Sequence, residues 1–229
     1  MRAFLLSSLL IGLLSSSHGE TRTVTKLTSR TNAGEVVATV TIDTHDTPDL
    51  AEWGKKAGEK CIEWLPKLAT LLASDGFVPS KEVTLRFDPA MEGVAATQKT
   101  SIVISAAWVR LHPEDFGMVI HELVHVVQDY KGKGDGWLTE GIADYIRYWI
   151  YEPGTRTFEI NRVKSHYRQG YGTAAAFLDW IERTKAKGTV VKLNTASRKG
   201  TYREALFEEW FGKSLDALWE EFSTASQPK

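Results

Sequence analysis

The sequence predicts an α+β chain: a small, twisted, mostly N-terminal β-sheet, one buried central helix, and a layer of helices toward the C-terminus. Three observations predict it. Runs rich in Thr and Val that alternate in character or flank turn residues lie before Ala106. A dense apolar run from Phe116 to Val127 holds two histidines four residues apart. Beyond Trp137, apolar residues mostly recur at the three- and four-residue spacing of helices.

With 42% hydrophobic residues and eight Trp, the 229-residue chain can build the core of one large domain, and the composition excludes a disordered one. Met1-Arg2, the apolar Ala3 to Leu14 and the serine run ending Ser17-His18-Gly19 read as a cleaved signal peptide over residues 1–19, which leaves one domain over 20–229. The apolar run is too short to span a membrane. A product released outside the cell is therefore expected, or one in the periplasm of a Gram-negative bacterium, without a membrane anchor and as a monomer. The 28 basic and 29 acidic residues give a formal charge of −1, which supplies no field for nucleic acid or anionic lipid. Cys61 is the one cysteine, so no intramolecular disulfide forms. Its place between Ala57 and Trp64 on an apolar helical face marks a small buried hydrophobe rather than a reactive thiol.

In chain order, Thr21 to Leu27 and Glu35 to Asp43 flank the turn Asn32-Ala33-Gly34 and read as a β-hairpin. Thr47-Pro48 opens a helix with Thr as N-cap. Its buried face is Leu50, Trp53, Ala57, Cys61, Trp64 and Leu68, with Pro66 expected to kink or split it and Gly76 beyond its last turn. Val83 to Phe87 alternates as a half-buried strand. Gly93 to Ala96 and Ser101 to Ser105 are further extended candidates on either side of Gln98-Lys99-Thr100.

His112-Pro113-Glu114-Asp115 reads as the first turn of the next helix, whose apolar residues are so dense that it must be nearly surrounded. His112 itself reads as structural or exposed. Within this helix, His121-Glu122-Leu123-Val124-His125 places two imidazoles one turn apart on one face, able to reach one metal ion. Glu122 then stands beside the metal as a general base for an activated water, not as a ligand. The plain alternative is a buried helix whose two histidines are satisfied by hydrogen bonds. A zinc site needs a third protein ligand. Past the glycines 132, 134 and 136, a helix from about Trp137 to Tyr151, stopped by Pro153-Gly154, offers Glu140 and, one turn on, Asp144. Spacing does not choose between the two acids, although a carboxylate could also serve by accepting the free ring N–H of a ligating His.

Phe158 to Arg168 is polar and aromatic, and Gly170-Tyr171-Gly172-Thr173 leads into a helix from Ala174 to Thr184 with Thr173 as its cap. Val190 to Leu193 reads as a short extended link. Thr201 is expected to cap a helix from Tyr202 to Phe211 that Gly212 ends, and Ser214 a last one holding Leu215, Leu218, Trp219 and Phe222, with a frayed tail after it.

HELVH followed by WLTEGIADY resembles the gluzincin zinc peptidases. HELVHVVQ, WLTEGIADYIR, GYGTAAAFLDW and the Leu218-Trp219 pair together resemble the basic secretory protein family, peptidases of plants and microbes, over roughly Val36 to Phe222. The resemblance implies a zincin-like fold and one zinc ion held by His121, His125 and Glu140, with Asp144 hydrogen-bonded to a ligating His. It also implies Glu122 as the base that later returns its proton to the leaving amine, and an edge strand, one of the two extended candidates above, that binds an extended peptide or protein substrate. An oxyanion donor is also required, for which Tyr171 and His166 are the candidates. A metzincin would need Gly and a ligand where Gln128 and Lys131 stand. A zinc hydrolase of a non-protein amide, or a defence or binding protein that lost turnover, would keep the fold with a different task.

Overall fold

The computed structural model describes residues 12–13, 24–131 and 134–226. The proposed leader lies outside the described residues except for Gly12 and Leu13. The described residues fall into two compact units, one of residues up to Leu71 with Phe77–Val127, the other of Leu72–Gly76 with residues from 128 onward.

The first unit is built on a mixed sheet of order β1-β2-β3-β4-β6-β5. The predicted hairpin is β2 (Val24–Arg30) and β3 (Val36–Asp43), turned through Gly34 at φ 84°, and the two-residue β1 (Gly12–Leu13) pairs antiparallel with β2. A 3-10 turn at Pro48–Leu50 leads into α1 (Ala51–Leu71), which crosses to β4 (Glu82–Asp88), parallel to β3. The hydroxyl of Thr47 caps nothing: its Oγ1 is buried without a hydrogen bond, while its carbonyl accepts from Leu50 N at 2.9 Å. Pro66 does not split α1. The proline removes one ladder donor, and burial of Ile62, Leu65 and Leu68 around it holds the helix through. Two glycines unremarked in the sequence set how close α1 comes to the sheet. A Cβ on Gly58 would stand 2.6 Å from Ile42 Cδ1, and one on Gly54 3.0 Å from Ile42 Cγ2.

β5 (Ala95–Gln98) and β6 (Ser101–Ser105) form an antiparallel hairpin whose β6 pairs parallel with β4, so β5 is the edge strand on the side away from β1. A short helix the sequence did not announce, α2 (Ala106–Leu111), follows at once, because Ser105 ends the strand and accepts from Trp108 N at 3.3 Å as N-cap. The buried helix, α3, therefore starts at Gly117 and runs to Gln128, and the His112–Asp115 segment precedes it. Asp115 caps it instead, accepting from Met118 N at 3.1 Å and from Trp108 Nε1 at 3.1 Å. As its apolar density predicted, all of α3 except His125 is buried.

The second unit is helical. α4 (Gly136–Tyr145) continues as a π-helical turn to Tyr151, matching the predicted extent. α5 (Tyr171–Thr184) begins ahead of Thr173, with Gly170 at its N-cap in a conformation open to glycine (φ 74°). Residues 190–193 are not extended: they belong to α6 (Thr189–Arg198). The Glu182 carboxylate accepts from Gly188 N at 2.8 Å and from Val190 N, capping a β-branched run that propensity alone reads as extended, and Val190, Leu193 and Ala196 line its buried side. Thr201 donates to Ala196 O rather than capping, and α7 is Ala205–Phe211, ended by Gly212 in the left-handed region. Ser214 caps α8 (Leu215–Ala225) as predicted, although the helix runs three residues past Phe222. Trp137, Tyr167, Phe177, Trp180, Phe207, Trp219 and Phe222 form the core. Residues 72–76 join this unit through buried Arg198 and Asn194, both of which donate to Leu72 O, at 2.9 and 3.1 Å. Among the described residues, no helix is long and apolar enough to cross a membrane.

Candidate metal centre

α3 supplies the two imidazoles. Four residues apart on one helix face, His121 and His125 present their Nε2 atoms to each other at 3.1 Å, with the rings nearly perpendicular at 82°. Two nitrogens that share one tetrahedral zinc at about 2.0–2.1 Å stand roughly 3.3 Å apart. The pair therefore has the spacing of a two-toothed clamp, and the donor chemistry of imidazole suits zinc.

Glu122 points to the edge strand of the same unit. It is 7% exposed, and its Oε2 lies 2.7 Å from Thr97 Oγ1 on β5, which is also 3.0 Å from the Glu122 backbone oxygen. Thr97 is the residue that reading the sequence missed. It stands just before the polar Gln98-Lys99-Thr100, and no local pattern sets it apart; the strand order brings it to the helix.

In the second unit, α4 carries both acids of the EGIAD segment. Glu140 is half-buried and Asp144 is 6% exposed. The glycine between them explains the motif's packing. Gly141 faces α5, where a Cβ on it would stand 2.8 Å from Ala174 Cβ. A Cβ on Gly170 would come 3.6 Å from Glu140 Cβ, so the segment that enters α5 lies alongside the Glu140 side chain.

Tyr171, the residue after that glycine, is 57% exposed and holds φ 48°, a left-handed conformation that is uncommon for a side chain of its size. His166 is otherwise engaged. Its Nδ1 accepts from Arg168 N at 3.3 Å as part of a capping box, and its ring lies against Tyr167 and Trp219.

Among the described residues, one group of His, Cys, Asp and Glu could hold a metal ion: His121, His125 and Glu140, each offering one ligand atom, all within 4.8 Å of one another. Two imidazole nitrogens and a carboxylate oxygen are a donor set that fits zinc and leaves a fourth coordination position open. Cys61 is far from such chemistry in character: burial pushes its thiol up to about 12.

Residues 21–222 match the model of a family described as peptidase of plants and bacteria. That span contains every residue named in this site. A search of the curated proteins finds no match.

Proposed function

The chain belongs to this family of peptidases, the basic secretory proteins, and from that premise we propose that it is an exported zinc-dependent peptidase. His121, His125 and Glu140 hold the ion, and the observation that carries the reading is that these three each offer one ligand atom within 4.8 Å of the others, while Glu122, the residue after His121, is buried and is not one of them. Zinc bound there supplies Lewis acidity, which polarises the scissile carbonyl and lowers the pKa of a water to about 7.

The protein's own groups do the rest. Glu122 takes the proton of the attacking water and passes it to the leaving amine. β5, the edge strand, offers backbone groups to an extended peptide, which holds the substrate without selecting side chains. Tyr171 donates its hydroxyl to the carbonyl oxygen as negative charge grows on it; its exposure and its strained backbone beside the Glu140 helix support that role over His166. Asp144, buried one turn beyond Glu140, accepts the free ring N–H of a ligating histidine and fixes its tautomer. The leader over residues 1–19 directs export.

The test is hydrolysis of casein and of a peptide library by the purified mature chain, with elemental analysis alongside. About one zinc per chain is expected, with activity lost to a chelator and restored by zinc. Glu122→Gln should keep the metal and lose nearly all turnover, because it removes the base but no ligand. Peptide hydrolysis that survives complete metal removal would refute the assignment.

A further inference from the structure

We propose that Thr97 is a positioning residue for this reaction, acting through Glu122; the inference rests on the reading of Glu122 as general base. Thr97 lies on the edge strand opposite Ile102 of β6. Strand alternation leaves Ala96 and Gln98 exposed while Ala95 and Thr97 are half-buried. From there the Thr97 hydroxyl meets two acceptors of one residue, Glu122 Oε2 at 2.7 Å and Glu122 O at 3.0 Å.

A hydroxyl has one proton to give, and a carboxylate is the stronger acceptor, so the shorter contact takes it. That bond fixes a side chain with three rotatable bonds. It occupies Oε2 and leaves Oε1, which has no hydrogen-bond partner among the described residues, as the atom that meets water. The Glu122 backbone oxygen lies 3.0 Å from the same hydroxyl, so Thr97 stands directly against α3. Thr97 thus sets where the base stands relative to the strand that receives the substrate, and a displacement of about 1 Å at such a group can cost on the order of a hundredfold in rate.

Thr97→Val keeps the shape and strand propensity but has no hydroxyl; Thr97→Ser keeps the hydroxyl. The expected result for Thr97→Val is zinc content equal to wild type, KM within about twofold, and kcat lower by roughly 10- to 100-fold. Thr97→Ser should return kcat to within about threefold of wild type, and Thr97→Val should cost nothing further in a Glu122→Gln background. In metal-free protein, Thr97→Val should lower Tm by a few degrees, and by less when Glu122 is already Ala. Thr97→Ala serves as the same deletion if the valine variant does not fold. An active wild type with unchanged kcat in Thr97→Val, or with Thr97→Ser as impaired as Thr97→Val, overturns this proposal alone. A wild type that holds zinc and cleaves no peptide overturns the peptidase reading and this one with it.

Discussion

Gly141 and Ala174 meet so closely that a methyl on the glycine would sit 2.8 Å from the alanine Cβ, which lets α4 lie directly on α5. The same helix carries Glu140 one residue earlier, so the packing of a glycine sets the height of a proposed ligand. Gly141→Ala adds about 1 kcal/mol of helix propensity. Against it stands an overpacking cost of about 1–3 kcal/mol, and a Cβ cannot rotate away from the clash. The clash should win, lowering Tm of the metal-free protein by roughly 2–6 °C. Thermal unfolding of the two proteins without metal checks this, and a variant more stable than wild type would show that α4 and α5 can part at little cost.

Glu140 and Asp144 share nearly one face of α4 and differ in reach. Glu140 is half-buried and belongs to the group of converging ligand atoms, while Asp144 is 6% exposed. Glu140→Ala should empty or nearly empty the metal site, since two imidazoles make an incomplete coordination shell. Asp144→Ala should be milder, weakening zinc affinity about ten- to a hundredfold. Competition titrations against a zinc chelator separate the two. If Asp144→Ala abolished binding while Glu140→Ala kept it, the roles would be exchanged.

Cys61 is fully buried on α1, and its thiol is raised by burial from its ordinary value of 9.0 to about 12. Because the folded state keeps the proton that the unfolded chain loses near pH 9, stability present below pH 9 is lost as pH rises toward 12. Burial raises Tyr145 as well, also to about 12, so its contribution has the same sign. Tm should therefore fall steadily above about pH 9. At pH 8 iodoacetamide should leave the folded chain unlabelled and modify Cys61 in denaturant. Rapid labelling of the native protein would mean that the helix face opens readily.

The pairing of the two histidines was legible from sequence because its geometry is local. A spacing of four residues puts His121 and His125 on one face of any helix, and the density of apolar residues around them announced a buried one. Short-range chemistry also marked the hairpin turn at Asn32-Ala33-Gly34, the Ser214 cap and the Gly212 stop, each decided by a few neighbouring torsions or one side-chain bond. Where a cap and burial overrode strand propensity, the reading failed. The β-branched run at Val190 became helix because Glu182 caps it and its apolar side is buried, and the helix at Ala106 was hidden behind the strand that Ser105 ends.

Only the tertiary structure decided the order of the strands. That order puts β5 at the edge and brings Thr97 to Glu122 across 25 residues of chain. It also decided the close approaches that need Gly58 and Gly141. The physical reason is the same in each case. A helix face is set by bonds within one turn, whereas the neighbour a strand or glycine meets is set by which surfaces the whole chain can bury together, and sequence spacing does not carry that information.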